Sequence, residues 1–90
     1  MVKAAKVGNW IKADGEIIPV VPDKGLRFTL AELQKMVGGY VERVQLPKGM
    51  VVLANEDGIP MGLPLNETAS RMVGMQLLGD VVILPRGMGW

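Results

Sequence analysis

The sequence predicts a small α+β domain with a mostly antiparallel sheet of about five strands and two helices. The 90 residues suffice for one domain and leave no room for a second. Short runs of apolar and β-branched residues are separated by Gly, Pro, Asn and Asp, which is typical of strands joined by tight turns. Two further segments carry capping residues at both ends, which predicts helices. The resulting order is β-β-α-β-β-α-β, and we expect both helices on one side of the sheet.

The N-terminal part predicts a β-hairpin. Residues 2–12 mix apolar residues with lysines and form the first predicted strand. Asp14-Gly15 is a strong turn signal, and the apolar residues 16–21 return as the second strand. Pro19 has no N–H to donate to a sheet ladder, so this strand should lie at a sheet edge or contain a bulge.

The first helix is marked at both ends. Thr29 followed three residues later by Glu32 is a capping box, in which each side chain accepts a backbone N–H of the first turn. Phe28 stands where it can pack against Leu33. Gly38 supplies the left-handed residue that ends a helix at little steric cost.

The next two strands follow from alternation and continuity of apolar residues. In residues 40–46, alternation puts Tyr40, Glu42, Val44 and Leu46 on one face, which we expect to be the core face with one acid in it. Residues 50–54 are continuously apolar and predict a central strand antiparallel to the previous one. Residues 55–58, Asn-Glu-Asp-Gly, predict a tight turn.

The remaining elements complete one domain over residues 1–85. Residues 59–65 are broken by Pro and Gly and should cross the surface as extended chain with at most a short pairing. Asn66 is a good N-cap for a second helix that Gly74 ends, and residues 81–84 predict a last buried strand. Residues 86–90 should form a flexible tail unless Trp90 packs against the domain.

Composition excludes several classes of function. The apolar runs are far shorter than the roughly 18 residues that a membrane span needs. Ten basic and nine acidic residues give a net charge of +1 without a basic block, which argues against nucleic-acid binding. His and Cys are absent and Ser70 is the single serine, so the usual nucleophile–base pairs and zinc sites cannot be built. We therefore expect a non-enzyme without cofactor or metal, and, since the N-terminus has no secretory signal pattern, a cytoplasmic location.

Two features are candidates for a site. Glu42 on an apolar face would mark a pocket, because a buried carboxylate is costly without a partner. Alternatively a bulge turns it to solvent, or it pairs with a cation of a neighbouring strand. The oxygen-bearing side chains of residues 55–58 could hold Mg²⁺ or Ca²⁺, but their spacing does not match a calcium loop and is typical of a hairpin turn.

Four segments carry a resemblance to a known family, and we call them the motif segments. They are Gly-Gly-Tyr-Val-Glu (38–42), Asn-Glu-Asp-Gly (55–58), Leu-Pro-Leu-Asn (63–66) and Gly-Asp-Val-Val (79–82). Together with the capped helix that begins near Phe28, they make residues 28–84 similar to the 3846 family of domains of unknown function, small proteins found largely in phages, plasmids and related mobile elements. The resemblance leaves out the first hairpin and the tail. It implies a mobile-element context, in which small proteins often bind host factors or host signalling molecules.

The leading hypothesis is a non-catalytic accessory protein of a virus or mobile element that binds a host protein. The turns near residues 38–42, 55–58 and 62–66 would lie at one end of the sheet and form one surface. The exposed strand edges and apolar composition also favour a homodimer, by edge pairing or through a shared hydrophobic face. The contact candidates on this surface are Tyr40, Glu42, Asn55, Glu56 and Asn66.

Two other classes of function stay open. The first is a protein that sequesters a nucleotide or a similar small anionic ligand. In it Tyr40 would stack on the ligand, Arg43 or Arg71 would bind its phosphate, and Asn66 would hydrogen-bond to its polar edge. The second is an enzyme that uses Glu42 with Asp80.

Overall fold

The structure is a computed structural model of the chain, and it describes residues 7–25, 27–88 and 90. Within these residues five strands form one antiparallel sheet in the order β2-β1-β5-β4-β3. The predicted α+β class and element order are confirmed, and residues 2–6 of the predicted first strand lie outside the described part. Neither helix is long and apolar enough to span a membrane. In chain order the elements are β1 (Gly8–Ile11), β2 (Ile17–Val20), α1 (Leu30–Val37), β3 (Val41–Gln45), a 3-10 turn (Pro47–Gly49), β4 (Val51–Asn55), α2 (Glu67–Val73) and β5 (Val81–Leu84).

The two helices cover opposite faces of the sheet, so the prediction that both lie on one side is wrong. Every residue of β4 and β5 is buried, and neighbouring side chains of a strand point to opposite faces. Both faces of these strands therefore need a cover. One core, on the α1 face, contains Phe28, Leu33, Val37, Val51, Leu53, Val82, Leu84 and Met88. The other, on the α2 face, contains Ile11, Val52, Ala54, Ala69, Leu77, Val81 and Ile83.

Strand β2 lies at one edge of the sheet, as Pro19 predicts. The Lys12 N–H donates to the Glu16 carbonyl at 2.8 Å, and bonded pairs alternate along an antiparallel ladder. Trp10 and Ile18 are therefore a bonded pair, whereas Pro19 lies opposite Asn9 in a non-bonded position. The missing N–H of Pro19 is thus on the open side of the sheet and costs no ladder bond.

Helix α1 has the predicted caps. The Glu32 N–H donates to Thr29 Oγ1 at 3.1 Å, and the Thr29 N–H donates to Glu32 Oε1 at 2.8 Å. The Asp23 N–H donates to Glu32 Oε2 at 2.9 Å. These backbone N–H groups, that of Thr29 first and that of Asp23 second, hold the pKa of the Glu32 carboxyl below its ordinary value. Gly38 ends the helix with a φ of 80°, and Phe28 and Leu33 both lie in the core on the α1 face.

Strand β3 does not have the single core face that alternation suggests. Val44 and Leu46 pack on the α2-face core, but Val41 packs on the α1-face core. Glu42 is exposed, and it borders a half-open depression beside Gly58 and Leu78 in which its carboxylate reaches water. The expectation of an acid within the core face is therefore wrong.

The chain between β4 and α2 makes consecutive turns before it extends. The backbone N–H groups of Gly58, Met61 and Gly62 donate to the carbonyls of Asn55, Asp57 and Ile59, respectively. The prediction of extended chain fails in this part, because Gly62 takes a left-handed φ of 66° and the chain turns. The extended part is short, and Leu65 makes an isolated antiparallel bridge with Leu78.

The C-terminal residues Met88 and Trp90 contact the α1-face core. Met88 is buried in it, and the Trp90 indole N–H donates to the Phe28 carbonyl at 2.9 Å. The Arg43 Nε–H also donates to the Trp90 carbonyl. Flexibility of residues 86–90 stays a prediction, and these contacts argue against it.

Candidate functional site

A half-open cleft of about 310 Å³ lies at one end of the sheet, on the α1 face. Each of the four motif segments supplies at least one of its walls, together with the end of α1 and the first hairpin. No pattern in the sequence indicates the walls made by Lys35 and Met36. The lining residues of this cleft are Trp10, Ala13, Lys35, Met36, Val37, Gly38, Asn55, Met61, Leu63, Pro64, Gly79 and Asp80.

Two side chains of the cleft satisfy the last carbonyls of α1, which have no partner within the helix. The Trp10 indole N–H donates to the Met36 carbonyl at 3.1 Å, and Asn55 Nδ2 donates to the Val37 carbonyl at 3.2 Å. These two bonds attach the end of the helix to β1 and β4.

Asn55 also fixes the turn that follows it. Its Oδ1 accepts the Asp57 N–H at 2.8 Å, and its Nδ2 lies 3.6 Å from the sulfur of Met61. The side chain is buried, so its oxygen serves the turn and is not offered to a cation. In the part of the chain that the structure describes, no group of three or more acidic side chains could hold a metal ion.

The glycines of two motif segments make room for the cleft walls. A Cβ on Gly39 would lie 2.9 Å from Asn55 Nδ2, too close for any residue other than glycine without a shift. Gly79 has a φ of +73°, and a Cβ there would lie 2.8 Å from Leu63 Cδ1.

Asp80 is the acidic group of the cleft. Its Oδ1 accepts the Ala13 N–H at 2.8 Å, which joins the first turn of the chain to the start of β5. Within residues 7–25, 27–88 and 90 this is its only hydrogen bond, and no cation pairs with it. Lys35 borders the cleft from the last turn of α1 and is exposed.

Asn66 is fully buried and does not reach the surface on which it is expected from its place in the sequence. Its Nδ2 donates to the carbonyls of Ile11 and Gly79, both at 2.8 Å, and its Oδ1 accepts the Ala69 N–H at 3.0 Å. The predicted N-cap is confirmed. The role as a contact residue does not hold, because no atom of this side chain is free to meet a partner.

Three of the five predicted contact residues are exposed at the end of the sheet that holds the cleft. The Glu56 N–H donates to the Tyr40 carbonyl at 2.8 Å, which closes the β3–β4 ladder and brings these residues together. Tyr40 is 68% exposed, Ile59 82% and Met61 54%. We call Tyr40, Glu42, Glu56, Ile59 and Met61 the loop-end surface. Glu42, Glu56 and Ile59 border the depression of about 170 Å³ on the α2 face, and Met61 borders the cleft.

The residues of the two alternative hypotheses are not brought together. Arg43 donates to the Trp90 carbonyl and, through Nη2, to Gln45 Oε1 at 2.8 Å, while Arg71 is exposed on α2. Glu42 borders the depression on the α2 face, whereas Asp80 borders the cleft on the α1 face.

Fold and cleft together define a small α+β domain whose sheet is covered on both faces, with a half-open cleft at one end of the sheet. The chain belongs to the family described as domain of unknown function (DUF3846), whose model matches residues 11–89. The match extends beyond the predicted resemblance and includes β2 and Met88. No curated protein and no solved structure matches the chain.

Proposed function

We propose that this chain is a non-catalytic accessory protein of a virus or mobile element that acts in the host cytoplasm by binding a host protein. Its contact region would be the loop-end surface with the adjoining cleft. One observation carries the proposal: the four motif segments, which are far apart in sequence, all border the same cleft.

The loop-end surface has the chemistry of a protein contact. Exposed apolar side chains that lie close together often mark a protein interaction site, and three of the exposed large apolar residues, Tyr40, Ile59 and Met61, are found here. Tyr in particular is enriched among the residues that dominate binding energy. Glu42 and Glu56 border the same region, so a partner with basic residues around an apolar centre would be complementary.

A small anionic ligand is the second candidate, and the cleft supports it less. Its volume is at the lower end of small-molecule pockets, which span about 300–1,000 Å³. Among the described residues that line the cleft, Lys35 is the one basic residue, no arginine is present, and Asp80 contributes a negative charge. Phosphate groups are usually met by arginine clusters or backbone N–H groups, so this charge balance favours a protein side chain over a nucleotide.

The test is affinity capture from host lysate with matched double variants as bait. The Tyr40→Ala/Ile59→Ala variant removes two exposed side chains of the loop-end surface. The Val21→Ala/Met72→Ala variant removes two comparably exposed apolar side chains elsewhere. We expect a host protein that wild type and control retain and that the loop-end variant loses. Equal capture by all three baits would contradict the proposed surface.

We further propose that a second copy of the chain pairs along β3 and not along β2. Bonds from Leu46 N to the Met50 carbonyl and from Glu56 N to the Tyr40 carbonyl fix which backbone groups of β3 face β4. By alternation, the backbone N–H and C=O groups of Val41, Arg43 and Gln45 point to the open edge of the sheet. Two copies related by a two-fold axis can pair along β3 in three registers, in which the axis passes residue 42, 43 or 44. The first two put Glu42 or Arg43 opposite its own copy, so we propose the third, in which two Val44 side chains meet.

Proline scanning of the two edges tests this pairing. Arg43→Pro removes an open-edge N–H of β3, and Ile17→Pro removes one of β2, without loss of a ladder bond at either position. We expect a dimer in sedimentation velocity for wild type and Ile17→Pro, and a monomer for Arg43→Pro with an unchanged circular dichroism spectrum. Monomeric wild type at micromolar concentration would contradict the proposal.

A further inference from the structure

The cleft combines an aromatic wall, an apolar lining and a fixed carboxylate. Trp10 borders it, and the Lys12 ammonium already lies 5.1 Å from the centroid of the Trp10 ring. The indole ring thus already has a cation against it, a contact that the negative face of an aromatic ring favours. Apolar side chains from α1 and from the loop after β4 complete the walls, and they suit an aliphatic stem. These side chains are Met36, Met61, Leu63 and Pro64.

The electrostatics of the cleft favour a cationic occupant. The bond from the Ala13 N–H holds the Asp80 carboxylate in place and leaves its second oxygen without a partner in the described chain. The C-terminal end of α1, at Val37 and Gly38, contributes the negative end of a helix dipole. Lys35 and the Lys12 ammonium near Trp10 oppose this charge, but both are long side chains that can turn their ammonium groups to water, whereas Asp80 is fixed.

We propose that the cleft receives an arginine side chain of the bound protein, with its guanidinium against Trp10 and hydrogen-bonded to Asp80. This inference rests on the proposed function and specifies the chemistry of the partner. A guanidinium is favoured over an ammonium because its plane stacks on an indole while its N–H groups bind a carboxylate. A half-open cleft of about 310 Å³ admits such a side chain from the surface with its stem along the apolar walls.

The experiment is a titration followed by ¹⁵N–¹H correlation spectroscopy, with N-acetyl-L-arginine amide as the probe. N-acetyl-L-citrulline amide is the control ligand, because it has nearly the same shape and no charge. The chain has two tryptophans and therefore two indole N–H signals. The Trp10 indole lies in the cleft wall, and the Trp90 indole is bonded to the Phe28 carbonyl, so Trp90 serves as the internal reference.

We expect the arginine amide to shift the Trp10 indole signal in a saturable way at millimolar concentration and to leave Trp90 unchanged. The citrulline amide should leave both signals unchanged. Asp80→Asn should lower the affinity for the arginine amide about tenfold, since a charge-assisted hydrogen bond is lost. An Asn oxygen can still accept the Ala13 N–H, so the fold is kept. Glu67→Gln, at an exposed glutamate of α2 on the opposite face of the sheet, should bind like wild type.

Three results would overturn the inference. They are no saturable shift of Trp10, an equal shift with the citrulline amide, and unchanged affinity in Asp80→Asn. None of them affects the capture experiment at Tyr40 and Ile59, so failure here is distinct from failure of the proposed function. As bait, Asp80→Asn should also lose the captured host protein. Full retention of that protein would show that the partner's arginine does not occupy the cleft.

Discussion

Replacement of Asn66 by alanine tests the view that this residue stabilises the fold and is no contact residue. The side chain makes three buried hydrogen bonds, to the carbonyls of Ile11 and Gly79 and from the Ala69 N–H. Together these bonds join β1, the loop before β5 and the start of α2. No buried side-chain polar atom in the described chain lacks a partner, so the substitution creates a kind of defect that the native protein avoids.

The expected loss of unfolding free energy for Asn66→Ala is about 2.5–5.5 kcal/mol. Loss of an N-cap costs about 1 kcal/mol, and a Gly79 carbonyl left without a donor costs about 1–3 kcal/mol. Loss of the bond to the Ile11 carbonyl, which also faces Val81 in the ladder, costs about 0.5–1.5 kcal/mol. A domain of this length has a total stability of about 5–13 kcal/mol. The variant should therefore fold marginally, with a melting temperature lowered by at least about 10 °C.

The assay is urea unfolding followed by tryptophan fluorescence, with a graded series of variants. Asn66→Ser keeps an oxygen for the Ala69 N–H and loses only the two bonds to carbonyls, so it should recover about 1 kcal/mol relative to alanine. Asn9→Ala is the matched control, because Asn9 is half-buried and its side chain has no hydrogen bond within the described residues. A loss below about 1 kcal/mol for Asn66→Ala would refute the reasoning.

Three further predictions concern α1 and the C-terminus. The pKa of Glu32 is lowered from 4.5 in the folded state, so its carboxylate stabilises the fold above that pH, and this contribution is lost as the pH falls below 4.5. Urea titrations of wild type and Glu32→Gln should therefore show a difference in unfolding free energy that is smaller at pH 3 than at pH 7. Gly38→Ala, with open space around its Cβ, should cost about 1 kcal/mol from its positive φ alone, whereas Gly39→Ala should cost more and shift the amide signals of the cleft. Trp90→Phe removes the indole bond to the Phe28 carbonyl and should speed amide hydrogen exchange at the C-terminus; unchanged exchange would show that the tail is mobile already.

The parts of the fold predicted from sequence are those that depend on neighbouring residues. The caps of α1 involve side chains and N–H groups three residues apart, as with Thr29 and Glu32, so the sequence contains the whole interaction. The edge position of β2 follows from Pro19 because a missing donor limits where any strand can lie. Asn66 was predicted as an N-cap for the same local reason.

The parts that could not be predicted depend on contacts between distant residues. The cleft exists because Ala13 meets Asp80 across 67 positions and Trp10 meets Met36 across 26. Alternation in β3 indicated which side chains share a face, but the rule assumes one buried face. The continuous apolar run of β4 is the sequence signal that this sheet has two buried faces, and two buried faces require a helix on each.

The two buried asparagines of the motif segments separate the structural part of the family pattern from its functional part. Asn55 holds the end of α1 on one face of the sheet, and Asn66 holds the start of α2 on the other. Either residue would be needed for any activity simply because the fold requires it, so loss of function on changing it would say nothing about contact with a partner. The exposed members of the same end, Tyr40, Glu56 and Ile59, make no side-chain hydrogen bond within the described chain. Their replacement should leave the fold intact, and an effect of these residues on capture would therefore report binding itself.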